Sequence, residues 1–249
     1  VGYGDVGKFT ALHFEVPIDI HDPAKGFIVE YFSEYEYAIV CVDTLRGGPA
    51  DYTNLSSVLD RLMADGFTGI VIIRSTVGPD YVEDVLLTVY SPLRIVLFPE
   101  FYTATEMSSG VDKSVMTILG GNIGDVYRVE SWLTRVGFPL NTLQYYKCTL
   151  QAAALIKLSS NAILATKVAM FNVIKLIADD YNVDYNEVRG VLGFDPRLGA
   201  NYHSLVPSPD DGQYGFGGAC LPKDTLALSK LDHSEFFASV LRVNKYLGR

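Results

Sequence analysis

The decapeptide Gly215-Phe216-Gly217-Gly218-Ala219-Cys220-Leu221-Pro222-Lys223-Asp224 sets a thiol, an ammonium and a carboxylate close together, behind two adjacent glycines. Glycines carry no Cβ, so the backbone there can come close to a ligand. A thiolate is a strong nucleophile, and a neighbouring cation favours it over the thiol. A carboxylate beside it can act as a general base or hold a water. Taken singly, these pieces also describe a turn with a buried cysteine ahead of a helix. Together they suit covalent catalysis through Cys220, with Asp224 as base or water holder.

A second polar pair sits in an apolar stretch. From Gln151 to about Tyr181 no Pro or Gly interrupts a run rich in Ala and Leu. This predicts one helix of roughly 45 Å at about 1.5 Å per residue. Such a length suggests a helix shared by two domains or two subunits. Its apolar residues nearly surround it, so burial on several sides is expected. Lys157 and Asn161 are four residues apart and share a face. Both can donate to a developing oxyanion; solvated rim residues are the alternative.

The third element is Val1-Gly2-Tyr3-Gly4-Asp5-Val6-Gly7, a G-x-G-x-x-G pattern. These glycines permit a tight turn, close approach of a pyrophosphate and tight helix–strand packing. The helix that follows offers free N–H groups to phosphate. An acid ending the next strand would bind ribose hydroxyls and select NAD over NADP. Asp19 and Asp22 are the candidates, and Asp22 leaves more room for a helix. Both acids in a surface turn is the plainer reading. A strand is expected ahead of the first glycine.

The elements between these motifs alternate. Tyr37–Val42 reads as a buried strand, ending in Asp43-Thr44; Asn54–Ala64 reads as a helix with Leu55, Val58, Leu59 and Leu62 on one face. Strands follow at Gly69–Ile73, Arg94–Phe98 and Met116–Gly121, and helices at Pro79–Leu87 and Asp125–Val136. The connection from Asp22 to Tyr37 is short for a full βα unit. This alternation predicts a Rossmann-type parallel sheet covered on both faces. The expected domains are residues 1–148, binding the dinucleotide, and residues 149–249, all-helical and carrying Cys220. Asn182–Tyr185 caps a helix running to Leu192, a polar loop covers Tyr202–Tyr214, and Thr225–Leu247 reads as one helix with Phe236, Phe237, Val240, Leu241 and Val243 inward.

Composition narrows the classes. The 249 residues are 49% hydrophobic, enough for a sizeable core, and carry a net charge of −9. That charge argues against nucleic acid as partner. The three cysteines, Cys41, Cys148 and Cys220, form neither a disulfide framework nor a zinc spacing, so no metal is expected. No apolar run approaches the about 18 residues of a membrane span, and no signal peptide is visible. A reduced, cytoplasmic setting is the default expectation.

The decapeptide resembles the cysteine motif of the nucleotide-sugar 6-dehydrogenases, the UDP-glucose and GDP-mannose 6-dehydrogenase family. Ser75-Thr76-Val77, Pro99-Glu100-Phe101, Leu155–Lys167 and Asp195–Gly199 are similar to further motifs of that family. The resemblance implies oxidation of a sugar C6 alcohol to a carboxylate with two NAD molecules, in a homodimer joined through the long helix. It implies catalytic roles for Cys220, Lys157, Asn161, Asp224, Thr76 and Glu100. Cofactor contacts would fall to Gly2, Gly4, Val6, Gly7, Asp22, Val42, Thr76 and Lys223. Sugar-nucleotide contacts would fall to Glu100, Phe101, Lys157, Asn161, Arg197, Phe216 and Gly217. The chain departs from the family pattern at Ala104, where a second Glu is usual and Glu106 is out of register, and at Ala154. The family also has a C-terminal nucleotide-gripping domain, expected to be lacking here. Two other readings stay open. The Lys157–Asn161 pair is shared with 3-hydroxyacid dehydrogenases, and a non-catalytic relative with a structural or NAD-binding role would keep the same fold.

Overall fold

The computed structural model describes residues 1–44, 51–102, 115–141, 143–199 and 202–249. Ala104 and Glu106 therefore lie outside the described residues. The chain divides into two compact units, Val1–Lys157 and Leu158–Arg249.

The first unit is built on five strands: β1 (Tyr37–Val40), β2 (Ile70–Ile73), β3 (Arg94–Leu97), β4 (Thr117–Gly121) and β5 (Tyr145–Cys148). They lie side by side in that order. Pairs β1–β2, β2–β3 and β4–β5 are parallel, with Tyr37 opposite Ile70, Ile70 opposite Arg94 and Thr117 opposite Tyr145. The β3–β4 pair is antiparallel, with Val96 opposite Gly121. The expected parallel sheet is thus only mostly parallel. A strand buried on both faces shows the same apolar run in either direction, so its sequence does not encode its polarity. Val1 lies alongside β1 through backbone hydrogen bonds. The Val1 nitrogen donates to the Ile39 carbonyl, Cys41 N–H donates to the Val1 carbonyl at 2.8 Å, and Gly2 N–H donates to the His21 carbonyl at 2.9 Å.

Side chains alternate between two cores. Val71, Ile73, Ile95 and Leu97 face α2 (Thr53–Ala64), through its fully buried Leu55, Leu59 and Leu62. Ile70, Ile72, Val96 and Leu119 face α4 (Ile123–Arg135), through Val126, Val129 and Leu133. A fully buried Leu or Val contributes about 1.5–3 kcal/mol over an exposed one, so these two layers fix the sheet. Asn122 caps α4, accepting from Gly124 N–H at 3.0 Å. The predicted helix Pro79–Leu87 begins as α3 (Pro79–Tyr81) and continues as π-type turns over Val82–Leu86.

The long helix α5 (Leu150–Asp180) starts in the first unit and continues through the second. By length and composition it is the one described helix able to cross a membrane, contrary to the expectation that no stretch is apolar enough. Yet Lys157, Leu158, Asn161, Ala165, Phe171 and Asn172 are buried. It is buried along much of its length, while Ile163, Met170 and Ile177 are exposed. The second unit adds α6 (Tyr185–Leu192), α7 (Leu221–Leu228) and α8 (Glu235–Tyr246). Asp184 caps α6 by accepting from Asn186 N–H at 2.9 Å.

The single helix expected over Thr225–Leu247 is two. Ser229 and Ser234 turn their hydroxyls onto the carbonyls of Leu226 and Leu231, and His233 adopts φ +63°. Serine bonds of this kind compete with the helical ladder, and a left-handed residue ends it. The break lets Leu228 pack on Leu158 and Ala162, while Val240 packs on Ala165, Val168 and Ala169. Phe236, expected inward, is 60% exposed.

Candidate active site

The glycine-rich turn closes tightly on β1. Gly2 has φ +82°, and a Cβ there would lie 2.9 Å from the Cys41 carbonyl. A Cβ on Gly7 would collide with the Gly2 carbonyl oxygen. A Cβ on Gly4 would meet nothing within 4 Å, so the space above Gly4 is open to a ligand. Gly4 precedes α1 (Asp5–Leu12), whose first turn holds Asp5 and the half-buried Val6.

Asp22 Oδ2 accepts from Tyr3 N–H at 2.8 Å and pairs with Lys25 at 3.4 Å. The Tyr3 N–H, more than Lys25, holds its carboxyl below the usual Asp range. Asp22 ends its segment with a short 3₁₀ turn, Pro23–Lys25, in place of a helix. Gly2, Gly4, Asp22 and Val42 line one cleft of about 640 Å³, within the range of small-molecule sites. An open glycine cradle, a helix N-terminus and a nearby acid fit a dinucleotide, although the strand expected to end at Asp22 is replaced by a single bridge to Phe27. Asp5 works against it, since an acid there competes with phosphate for the helix dipole.

Beyond the ends of β2 and β3, Thr76 and Glu100 are buried, as is Lys157 of α5. Lys157 Nζ donates to the Glu100 carbonyl at 2.5 Å and pairs with Glu100 Oε1 at 3.1 Å. The ammonium also lies 5.2 Å from the Phe101 ring centre. Glu100 Oε2 accepts from Tyr102 N–H at 3.0 Å. Thr76 and Lys157 line the same small cavity with Pro99 and Ala153. Thr44 donates its hydroxyl to the Thr76 carbonyl.

In the second unit Cys220 is a half-buried thiol at the N-cap of α7, outside any disulfide. Asp224, one turn on, has no exposed surface. It accepts from the Asn161 amide and from Lys223 Nζ, the latter at 2.8 Å. A buried carboxylate needs such donors. Gly217 and the buried Phe216 precede the thiol, but Phe216 packs among Ala165, Val168 and Val240. Arg197 is exposed and pairs with Asp195 at 2.5 Å.

Within Val1–Lys157 the structure therefore joins Thr76, Glu100, Phe101 and Lys157, and separately Gly2, Gly4, Val42 and Asp22. Within Leu158–Arg249 it joins Asn161, Asp224 and Lys223. It leaves Arg197 on the surface and turns Phe216 into a core residue. Sequence reasoning missed Tyr102, which holds Glu100, and Arg74. The Arg74 guanidinium is 2% exposed, lies 4.2 Å from the Phe98 ring centre and donates to Tyr102 Oη at 2.8 Å. It also missed Asn172 and Asn244, two buried amides on otherwise apolar helix faces; a polar residue on such a face was the available signal.

The central-domain profile of the UDP-glucose/GDP-mannose dehydrogenase family matches residues 151–246. A UDP-glucose 6-dehydrogenase of Rickettsia bellii is 26% identical over 88% of this chain and 51% of its own length. That of Rhizobium meliloti is 29% identical over 80% of this chain and 46% of its own length. A UDP-glucose dehydrogenase from Pyrobaculum islandicum superposes with a TM-score of 0.72 at 24% identity, covering 86% of this chain and 51% of that one. A GDP-mannose dehydrogenase from Pseudomonas aeruginosa superposes with a TM-score of 0.57 at 24% identity, covering 87% and 52%. The chain spans about half the length of these relatives. The structural likenesses establish the shared fold, a mostly parallel sheet followed by helices. The profile match identifies residues 151–246 as similar to the central domain of the UDP-glucose/GDP-mannose dehydrogenase family, and the curated relatives extend a distant similarity to UDP-glucose 6-dehydrogenases over most of the chain.

Proposed function

We propose that this chain oxidises the C6 alcohol of a nucleotide sugar, UDP-glucose or GDP-mannose, to the uronic acid with NAD. The observation that carries this reading is Cys220 at the start of α7, with Asp224 buried one turn on against Asn161. A plain structural turn has no need of a fully buried carboxylate after its cysteine. Gly2, Gly4, Val6, Gly7, Asp22 and Val42 would hold the dinucleotide, the glycines facing its phosphates and Asp22 its ribose. NAD, when bound, supplies the hydride acceptor for both oxidation steps.

The protein groups supply the rest. The sugar hydroxyl first loses its proton to a base or ordered water as the hydride leaves C6. The Cys220 thiolate then adds to the aldehyde carbon, forming a C–S bond and a thiohemiacetal. Lys157 and Asn161 donate to the oxyanion. Loss of the second hydride leaves a thioester on Cys220. A water held by Thr76, Glu100 and Asp224 then breaks the C–S bond, releasing carboxylate and thiol. Phe101, Arg197 and Gly217 would touch the sugar nucleotide. Lys223 is proposed for the cofactor, in addition to its bond with Asp224.

A homodimer through α5 completes the proposal. Ile163, Met170 and Ile177 are exposed at intervals of seven, with Tyr181 one turn beyond, a spacing suited to helix–helix contact. Sedimentation as a strict monomer would contradict it. The activity itself is tested by NADH formation with NAD and either sugar nucleotide. Cys220→Ser should halt at a bound intermediate or abolish turnover, and full acid production by that variant would refute the scheme. Turnover of a small hydroxyacid, indifferent to thiol alkylation, would point to the hydroxyacid dehydrogenases instead.

A further inference from the structure

Both flanks of the Cys220 segment are tied to other helices by side-chain amides. Downstream, Asn161 holds Asp224. Upstream, Asn172 Oδ1 accepts from Gly215 N–H at 2.9 Å, while its Nδ2 donates to the Val168 carbonyl at 2.9 Å. Asn244 of α8 pairs with Phe216 at both ends: Oδ1 accepts from Phe216 N–H at 2.8 Å, and Nδ2 donates to Phe216 O at 2.9 Å. Arg249 Nε donates to the Tyr214 carbonyl at 3.0 Å.

These bonds lie in a dry setting. Asn172 is 1% and Asn244 6% exposed. Gly215 has φ +75°, and a Cβ on it would lie 2.5 Å from Asn244 Oδ1. The glycine is therefore required both by its dihedral and by the amide packed on it. Asn161 and Asn172 are eleven residues apart, about three turns, so α5 presents both on one face. Ala165, Val168 and Ala169 lie between them and pack on Phe216. Amides buried this fully cost stability unless every bond is made, and here the bonds go to the backbone leading to the thiol.

We propose that Asn172 and Asn244 are positioning residues that fix the Gly215–Gly217 backbone and through it the placement of the Cys220 thiol. They touch no reacting atom. The inference rests on the proposed role of Cys220, but its test does not require turnover. Alkylation of each cysteine by iodoacetamide, followed by mass spectrometry across a pH series, reports Cys220, Cys41 and Cys148 separately in one sample. In Asn172→Ala and Asn244→Ala the plateau rate at Cys220 should rise about fivefold or more as the backbone gains freedom, with Cys41 and Cys148 unchanged. Asn172→Asp keeps an acceptor for Gly215 N–H and, when protonated, a donor for Val168; it should restore the wild-type rate at the acid end of the series. If the family reaction is observed, kcat should fall about tenfold or more in the Ala variants with a smaller change in KM. Unchanged Cys220 alkylation in folded Asn172→Ala and Asn244→Ala overturns the proposal, as does an equal rise at all three cysteines. Altered alkylation without any sugar oxidation would leave the positioning role standing and remove the catalytic reading alone.

Discussion

Asn161 donates its side-chain amide to Asp224, a carboxylate with no exposed surface. The pair fastens α7 to α5 within the second unit, and Lys223 supplies the second donor. Replacing Asn161 by Leu removes one donor and leaves a buried oxygen unsatisfied. The expected cost is about 1–3 kcal/mol, read as a lower urea midpoint. An unchanged midpoint would show that the amide contributes nothing to the helix contact.

Lys157 and Glu100 form a buried ion pair, 4% and 9% exposed at their side chains. Lys157→Met strands a carboxylate that the Tyr102 N–H still holds through Oε2. Losing one member of a buried pair costs about 3–5 kcal/mol. The double variant Lys157→Met with Glu100→Gln removes the stranded charge and should recover part of the loss. A double variant no more stable than the single one would mean that the pair's charges are not what matters.

Asp5 puts a negative charge in the first turn of α1, beside the open space at Gly4. If a pyrophosphate sits there, Asp5→Asn should tighten NAD binding by about two- to fivefold at low salt, the effect of one charge at a helix end. Titration calorimetry checks it. No change would argue that the phosphates lie elsewhere.

Asp22 has its carboxyl held below the ordinary range, first by Tyr3 N–H. A group whose folded pKa is depressed stabilises the fold above its unfolded pKa. That contribution disappears as pH falls through the folded value. The Tyr3 amide resonance should therefore shift with a midpoint below that of an unperturbed Asp, and Asp22→Asn should abolish the transition. A midpoint at or above the unperturbed value would contradict the bond.

The glycine turn, the strands at 70–73 and 94–97, the long helix and the cysteine segment were legible because each has a local signal: spacing, apolar run or rare motif. The reversed β4 was not, because direction leaves no trace in a two-sided apolar run. Strand β5 was missed because Tyr145–Cys148 is only partly buried and lacks alternation. The break before α8 was missed because Ser229 and Ser234 act through backbone bonds that no periodicity records. At the site, residue types named Lys157, Asn161 and Asp224. Pairing Lys157 with Glu100, and Asn161 with Asp224, needed coordinates, because the partners lie 57 and 63 residues apart.

Arg74 sits beneath the rings of Phe98, Tyr102 and Phe138, and among the described residues no carboxylate pairs with it. A guanidinium cannot shed its proton, and charges at such depth are screened far less than those at the surface. The end of strand β2 thus holds a buried cation that dissolved ions barely reach. An anionic ligand drawn to that edge would keep its hold in brine, where attraction by superficial lysines fades.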